Sequence, residues 1–224
     1  MRFVVIPDIH GELEALKAML KACKAADERM RPLAHDFTLV QMGDLVDRGP
    51  ESRGCVELMM RLQQAGQGRV VVLRGNHEDL LMESAFKPEV KMAWLQNGGP
   101  ATLKSYGDDF EALAGPGGEH YRWMQSLPSH FEQEGIFFCH AGLTRANYKA
   151  MDPGRLRWDR PPLYRGAYKA LVAGHTVTES RGIEAQDNIF RVDIGLGYGG
   201  VPRLEYLALE RRGDELLWQV ETAG

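Results

Sequence analysis

The chain has 224 residues, enough for one sizeable domain that folds without disulfides or a structural metal. Hydrophobic residues make up 44% and charged residues 26% of it, ordinary globular values that exclude a disordered chain, a collagen and a coiled-coil rod. Lys plus Arg number 27 against 31 Asp plus Glu, so the formal charge is −4, without the basic excess that binds a nucleic-acid backbone.

Short apolar runs alternate with helical patterns in the first part of the chain. Residues 3–6, 37–42 and 70–73 are rich in β-branched and other apolar side chains, which predicts three buried strands. Residues 13–23 and 55–62 repeat apolar side chains at helical spacing between them. This strand–helix alternation predicts parallel strands that are joined by crossover helices.

The rest of the chain is first helical and then rich in strands. Residues 78–126 are predicted to be mostly helical, with breaks at the Gly- and Pro-containing segments 97–100 and 115–118. A loop rich in Pro and Arg is expected over 152–166. The predicted later strands are 136–139, 171–173, 189–194, 204–209 and 215–220. We therefore expect one α/β domain with two sheets over residues 1–224.

Five of the predicted strands end in Asp, His or Asn beside glycine. In an open α/β sheet, ligands bind outside the carboxyl ends of the strands, so these five ends could converge on one site. The segments, in chain order, are Asp8-Ile9-His10-Gly11, Gly43-Asp44-Leu45-Val46-Asp47-Arg48-Gly49, Arg74-Gly75-Asn76-His77-Glu78, His140-Ala141-Gly142 and Gly174-His175-Thr176.

These side chains form a mixed set of oxygen and nitrogen donors that suits Mn, Fe or Zn, and no cysteine is among them. Asp8 and His10 lie two residues apart in an extended segment, so they face the same way. Asp44 is a good candidate to bridge two cations, because a carboxylate has two oxygens. Paired cations about 3.5–4 Å apart are a recurrent device for hydrolysing phosphoesters.

The motifs DIHG, GDLVDRG, GNHE, HAG and GHT, in that order, resemble those of metallophosphoesterases of the phosphoprotein phosphatase type. The similarity covers nearly the whole chain and is closest to the small bacterial and phage-lambda-like serine/threonine phosphatases. It implies a single calcineurin-like metallophosphoesterase domain over residues 1–224. The implied fold is an α/β sandwich of two mixed β-sheets that are flanked by α-helices.

The resemblance also implies two divalent cations and their ligands. One cation is expected to bind Asp8, His10 and Asp44, and Asp44 is shared with the second. The second cation is completed by Asn76, His140 and His175. The ligand set suits Mn²⁺ best, although an Fe/Zn pair or Ni²⁺ would also fit it.

Further residues have roles by the same resemblance. His77 resembles the general acid that protonates the leaving alkoxide, and Asp47 resembles the carboxylate that orients His77 and keeps it cationic. The expected reaction is direct attack by metal-bound hydroxide, without a phosphoenzyme. Arg48 and Arg74 would clamp the phosphate in catalysis, with Arg160 as a third arginine of the phage-like group. The predicted substrate-binding set is Arg48, Arg74, Arg160 and Asn76.

Each motif taken alone has an ordinary structural explanation, such as a turn or a hydrogen-bonded core histidine. Arg155, Arg157 and Arg165 share the loop with Arg160, and we expect those three to be solvated surface residues. The segment 195–200 satisfies the pattern GxGxxG. It leads into a predicted strand and not into a helix, so it does not indicate a dinucleotide site.

The predicted function is a metal-dependent phosphomonoesterase, a protein serine/threonine phosphatase that could also accept phosphotyrosine. A symmetric diadenosine-tetraphosphate hydrolase is the alternative. That family typically lacks the aspartate of DRG and has Asp after GNH, where this chain has Asp47 and Glu78. A nuclease is less favoured by the acidic balance. A catalytically silent phosphate-binding module would be expected to have lost His77 or an arginine of the clamp.

The cysteines and the apolar stretches of the sequence predict where the protein is located and which partners it has. Cys23, Cys55 and Cys139 are odd in number and form no CxxC motif, which favours a reducing compartment. The apolar run at the start of the chain is too short for a signal peptide, and no stretch approaches the roughly 20 apolar residues of a membrane span. We expect a cytoplasmic monomer that acts on phosphorylated proteins or small phosphoesters, without nucleic-acid or membrane partners.

Overall fold

The computed structural model describes residues 1–160, 162–200 and 203–223. Within these ranges the strands are β1 (Arg2–Ile6), β2 (Phe37–Gln41), β3 (Val70–Val72), β4 (His130–Gln133), β5 (Ile136–Cys139), β6 (Ala170–Ala173), β7 (Glu184–Gln186), β8 (Ile189–Arg191), β9 (Glu205–Arg212) and β10 (Glu215–Thr222). The helices are α1 (Leu13–Ala22), α2 (Ser52–Ala65), α3 (Asn76–Ser84), α4 (Pro88–Gln96), α5 (Gly99–Ser105), α6 (Phe110–Ala114), α7 (Glu119–Ser126) and α8 (Arg155–Trp158).

The strands form two mixed sheets of five strands each. The first has the order β10-β9-β1-β2-β3, in which β1, β2 and β3 are parallel and β9 runs antiparallel to β1. The second has the order β4-β5-β6-β8-β7, in which β5, β6 and β8 are parallel and the two edge strands are antiparallel to their neighbours. The predicted sandwich of two mixed sheets flanked by helices is confirmed.

Side chains that alternate along the strands show that the two sheets pack face to face, with a core between them. In β1, Phe3 and Val5 point into a core that also contains Phe138 of β5 and Val172 of β6. The intervening residues point the opposite way, because successive side chains of a strand face opposite sides of the sheet. Both sides of β1 are therefore buried, which explains why its sequence reads as a continuous apolar run.

Helices cover the outer face of the first sheet. Leu16 and Leu20 of α1 and Leu58 and Leu62 of α2 lie in the same core as the outward side chains of β1 and β2. These leucines recur at three- and four-residue spacing, so each helix buries one stripe and leaves its charged side in solvent. As predicted, α1 and α2 are the crossovers that keep β1, β2 and β3 parallel.

Five short helices, α3 to α7, follow β3, as the mostly helical pattern of residues 78–126 predicts. The two predicted breaks separate α4 from α5 and α6 from α7. Gly98 lies at the first break with φ 106°, a left-handed conformation that favours glycine. Among the residues described, no helix combines the length and apolar character that crossing a bilayer requires.

Three elements were not predicted from the sequence. Strands β4 and β7 lie at the edges of the second sheet, where exposed and half-buried side chains give no continuous apolar run. Helix α8 occupies four residues within the predicted loop 152–166, of which residue 161 lies outside the described part. A single helical turn is too short to show a periodic pattern.

Candidate metal centre and active-site cleft

The five predicted strand ends meet at one place. The segments after β1, β2 and β3 reach it from the first sheet, and those after β5 and β6 reach it from the second. The backbone ties the segments together, since the amides of Ile9 and His10 both donate to the carbonyl oxygen of Asp44, at 3.0 and 2.8 Å. The side chains of Asp8, His10, Asp44, Asn76 and His140 are each 5% exposed or less.

Several of these residues have a backbone conformation that side chains rarely adopt. His10, Asp44, Asp47, Arg48 and His175 have positive φ angles between 48° and 73°. Each left-handed non-glycine residue costs about 1–3 kcal/mol and persists only where surrounding contacts hold it. Such strain clusters at functional sites, because it turns side chains towards a common point that regular strand geometry would not reach.

One group of possible ligands consists of His10, Asp44 and His77, whose ligand atoms lie within 4.8 Å of one another. His10 Nε2 is 3.5 Å from Asp44 Oδ2, and His77 Nε2 is 3.9 Å from the same oxygen. His10 Nδ1 donates to the carbonyl oxygen of Val46 at 3.0 Å. That bond fixes the tautomer and leaves Nε2 as the nitrogen for a cation.

The second group consists of Asp44, His140 and His175, so Asp44 belongs to both. His140 Nδ1 donates to the carbonyl oxygen of Met42 at 2.8 Å, and its Nε2 lies 3.4 Å from Asp44 Oδ2. Asn76 Oδ1 lies 2.9 Å from His140 Nε2 and 2.8 Å from His175 Nδ1. The structure thus brings together all four predicted ligands of the second cation.

Asp8 lies beside these groups but contacts a different partner. Its Oδ2 accepts a hydrogen bond from the amide of His175 at 2.8 Å. Among the described residues, Asp8 Oδ1 and His175 Nε2 are buried and have no hydrogen-bond partner. Two buried atoms that can coordinate a metal thus lack partners beside the carboxylate and imidazole groups described above. This arrangement fits the coordination of divalent cations.

Two glycines lie so close to the carboxylates of Asp8 and Asp44 that a side chain at either position would overlap them. A Cβ at Gly174 would lie 2.1 Å from Asp8 Oδ1, and a Cβ at Gly75 would lie 2.0 Å from Asp44 Oδ1. No side chain fits at either position while the carboxylate stays in place. The glycines of GHT and GNHE are therefore required by close approach of the backbone to the site.

The electrostatics of the site also suit cations. Burial lowers the pKa of His10 well below its ordinary value and, with His140, lowers that of His175 to about 3, so both imidazoles are neutral and able to ligate. Burial lowers the pKa of His140 too, but Asp44 and Asp8 raise it to about 10. His140 thus compensates the buried carboxylates, a role that a bound cation would take over.

His77 and Asp47 form a buried pair at the edge of the ligand groups. His77 Nδ1 lies 2.7 Å from Asp47 Oδ2, and Asp47 Oδ1 accepts hydrogen bonds from Trp94 Nε1 at 2.9 Å and Thr102 Oγ1 at 2.8 Å. Burial lowers the pKa of His77, but Asp44 and Asp47 outweigh it and raise that pKa above its ordinary value. Asp47 therefore orients His77 and favours its protonated form.

Arg48 covers this part of the site. Its Nη2 lies 2.9 Å from His77 Nε2, and its Nη1 contacts His10 Nε2. The guanidinium carbon lies 4.2 Å from the centre of the Tyr198 ring, an arrangement in which a cation is attracted to the aromatic face. Arg48 is thus held between the imidazoles of His10 and His77 and an exposed aromatic side chain.

A cleft of about 630 Å³ opens above the ligand groups. Arg160 lines it, as do two residues that the sequence did not single out for a role, Trp158 and Arg181. Among the described residues, Arg160 has no ion pair or hydrogen bond. The lining residues are Asp44, Arg48, Asn76, His77, Leu80, Ala93, Asn97, Trp158, Arg160, His175, Thr176, Val177, Arg181 and Tyr198.

The structure does not bring Arg74 into this cleft. The Arg74 guanidinium lies beside Asp79, with Nε 3.3 Å from Asp79 Oδ1, and its Nη1 donates to the carbonyl oxygen of Gln125 at 3.3 Å. The carboxylate of Asp79 and the end of α7 draw it away from the ligand groups. Among the described residues, the arginines that line the cleft are Arg48, Arg160 and Arg181.

The prediction that Arg157 is a solvated surface residue is wrong. Its side chain is buried, 8% exposed, and its Nε donates to Asp79 Oδ2. No local sequence pattern indicates this partner, because Asp79 is 78 residues away. By contrast, Arg155 is exposed and pairs with Asp159 at 3.1 Å. Arg165 is half-buried and donates to backbone carbonyl oxygens.

Comparisons with known proteins agree with this geometry. A sequence model of the calcineurin-like phosphoesterase family matches residues 1–179. Serine/threonine-protein phosphatase 1 of Salmonella typhimurium is 33% identical over 211 residues, which cover 88% of this chain and 87% of that protein. Shewanella-like protein phosphatase 1 of Plasmodium berghei is 28% identical over 149 residues, 63% of this chain but only 39% of that protein.

Among solved structures, the cold-active protein-tyrosine phosphatase of a psychrophilic Shewanella species has the same fold. It superposes with a TM-score of 0.73 at 19% identity, over 100% of this chain and 80% of that one.

Proposed function

This chain belongs to the calcineurin-like phosphoesterase family, and from that premise we propose that it is a dinuclear metal-dependent protein phosphatase. Its reaction is the hydrolysis of phosphomonoesters, with phosphoserine and phosphothreonine in proteins as the substrate class. The observation that carries the proposal is the pair of buried ligand groups that share Asp44 and open onto a cleft lined, among the described residues, by Arg48, Arg160 and Arg181.

The two cations would be held by the residues that the sequence indicated. Asp8, His10 and Asp44 would hold one, and Asp44 with Asn76, His140 and His175 would hold the other. Bound divalent cations supply electrophilic activation of the phosphoryl group and lower the pKa of water. Oxygen and imidazole donors without thiolate support Mn²⁺ as the native metal.

Arg48 and Arg160 would bind the phosphate oxygens. A guanidinium presents several N–H donors in one plane, which suits two oxygens of a phosphate at once. Arg48 is preorganised by its contact with the Tyr198 ring, and Arg160 is an unpaired cation among the described residues. The amide of Asn76, which also lines the cleft, would donate to the same group.

His77 would donate a proton to the leaving oxygen of the substrate. The hydrogen bond between its Nδ1 and Asp47 directs Nε2 towards the cleft and favours the protonated imidazole. An alkoxide is a poor leaving group, so a proton donor beside it is worth about 10²–10⁴ in rate. Trp94 and Thr102 hold Asp47 and thus act on His77 only through that carboxylate.

The substrate class rests on the relatives. Two are protein phosphatases by name, and a structural neighbour is a protein-tyrosine phosphatase, which supports phosphoproteins over nucleotides. The presence of Asp47 and Glu78, rather than the pattern typical of diadenosine-tetraphosphate hydrolases, points the same way. The negative net charge supports the absence of a nucleic-acid partner.

The remaining features of the proposal concern the protein as a whole. We propose that the protein is a monomer. We also propose that residues 1–224 form one domain, because the core between the sheets joins β1, near the start of the chain, to β9, near its end. Cys23, Cys55 and Cys139 are all buried and unpaired. This supports a reducing compartment, the cytoplasm.

Turnover of several substrates by the purified protein tests the proposal. In the presence of Mn²⁺ we expect hydrolysis of p-nitrophenyl phosphate and of phosphoserine and phosphothreonine peptides, and loss of both activities after chelation. Diadenosine tetraphosphate should be a poor substrate. Faster cleavage of diadenosine tetraphosphate than of any phosphopeptide would replace the proposal by the alternative, and activity that survives chelation would remove the metal from it.

A further inference from the structure

A buried ion network lies behind the wall of the cleft. Asp79 is 8% exposed and contacts two arginines, since Oδ2 accepts from Arg157 Nε and Oδ1 lies 3.3 Å from Arg74 Nε. None of these three side chains lines the cleft. Buried ion pairs often add little to stability, because desolvation offsets their attraction. We therefore expect the network to matter more for the relative placement of the elements it joins than for the free energy of folding.

The network joins two elements that both contribute residues to the lining of the cleft. Asp79 lies on α3, whose first two residues are Asn76 and His77, and Arg157 lies on α8. The preceding residue of α8, Leu156, is fully buried against Phe137 of the second sheet and its neighbours. Helix α8 is thus attached to the second sheet by Leu156 and to α3 by Arg157.

The chain continues directly from α8 into the cleft wall. Trp158 and Arg160 both line the cleft, and both are exposed. Among the described residues, Arg160 makes no hydrogen bond or ion pair of its own, so its position depends on the backbone that precedes it. Asp159 anchors that backbone to Asn147 and Thr144, on the side of the second sheet. Arg157 provides the corresponding anchor to α3.

We propose that Asp79 and Arg157 are a positioning pair for phosphate binding. Their contact sets the distance between α3, with Asn76 and His77, and the segment that presents Arg160. Neither side chain touches the substrate, and both act through Arg160. The inference rests on the proposed function, in which Arg160 binds the phosphate of the substrate.

The network also makes the pair testable, because Asp79 has two partners. In R157M the apolar stem of the side chain is retained, and Asp79 keeps Arg74 as a neighbouring cation. The carboxylate is therefore not left buried and alone, and the variant should fold. Arg53 of α2, which does not line the cleft, gives a control. Its ion pair with Glu57 is exposed, and exposed pairs contribute little.

A double-mutant cycle on phosphate affinity separates positioning from a general structural effect. Calorimetric titration of inorganic phosphate into the Mn²⁺-loaded protein is carried out on wild type, R157M, R160M and the double variant. We expect R157M to weaken binding about 10-fold, because small displacements of a binding group have effects of this order. In the R160M background the same substitution should have almost no effect. R53M should bind as wild type does.

Other results would overturn the inference. If R157M binds phosphate as tightly as wild type, or if its effect is undiminished without Arg160, the pair does not act through Arg160. Kinetics with p-nitrophenyl phosphate give a second readout, in which R157M should raise KM more than it lowers kcat, and R157K should restore part of the loss. Absence of phosphate binding and turnover in wild type itself would instead overturn the proposed function, and the inference with it.

Discussion

The floor of the cleft and its rim are built in different ways. The floor, defined as Asp8, His10, Asp44, Asn76, His77 and His140, is buried and linked by short hydrogen bonds to the ends of both sheets. The rim, defined as Trp158, Arg160, Arg181 and Tyr198, is exposed or half-buried, with Trp158 at the end of α8 and the other three residues on connecting segments. Trp158 and Tyr198 are 45% and 56% exposed.

Because of this difference, we expect the floor to determine catalysis and the rim to determine substrate preference. The floor holds strained backbone and, among the described residues, the unpartnered Asp8 Oδ1 in fixed positions, as preorganised catalysis requires. The rim offers aromatic faces and guanidinium groups with few internal partners, which can adapt to different substrates. Substitutions in the floor should therefore abolish turnover, whereas substitutions in the rim should change affinity and preference.

The largest effect is expected for D44N. Asp44 belongs to both ligand groups, and metal ions supply several kcal/mol of transition-state stabilisation, so turnover should fall by about 10⁴-fold or more. Steady-state hydrolysis of p-nitrophenyl phosphate, with metal content measured on the same sample, checks this. Full metal content and near-normal turnover in D44N would show that Asp44 is not a ligand shared by the two cations.

A large effect on kcat alone is expected for H77N. Loss of the proton donor should lower kcat by about 10³-fold, while both cations stay bound. Turnover and metal analysis of H77N, with the exposed His130 changed to Asn as the control, give the answer. Unchanged kcat in H77N would remove the proton-donor role, and loss of the metal would instead make His77 a ligand.

R48M lies between floor and rim and should have an intermediate effect. Hydrogen bonds to charged groups are worth about 1.5–3 kcal/mol, so competitive inhibition by inorganic phosphate should weaken about 10- to 100-fold. An exposed arginine of α2, Arg53, provides the control as R53M. An inhibition constant that is the same in R48M and wild type would exclude Arg48 from the clamp.

The smallest effect is expected in the rim. Y198A removes the aromatic face beside Arg48, and an aromatic contact is worth about 0.5–1.5 kcal/mol, so KM for aryl phosphates should rise roughly 3- to 10-fold with kcat nearly constant. Comparison of a phosphotyrosine and a phosphoserine peptide measures the preference. A collapse of kcat in Y198A would contradict the division between floor and rim.

The sequence predicted the floor better than the rim for a physical reason. Asp8, His10, Asp44, Asn76 and His140 follow strand ends, and parallel strands bring their carboxyl ends to one edge of a sheet. Local patterns of apolar residues were therefore enough to locate these side chains. The fold followed in the same way, except for edge strands and a single helical turn.

The rim depends on contacts between distant parts of the chain. Arg157 and Asp79 are 78 residues apart, and no local pattern indicates that they pair. Arg74, which the motif suggested for the clamp, is held elsewhere by the nearby Asp79 and by the carbonyl oxygen of Gln125, 51 residues away. Tyr198 lies in the glycine-rich segment that resembled a dinucleotide motif, so its aromatic ring was a signal that could have been used.

The most direct measurement of the central claim is anomalous diffraction from crystals grown with Mn²⁺, recorded at the manganese absorption edge. The account predicts two peaks, one on each side of Asp44, with Asp8 and His10 at the first and Asn76, His140 and His175 at the second. A single peak, or peaks away from Asp44, would contradict it.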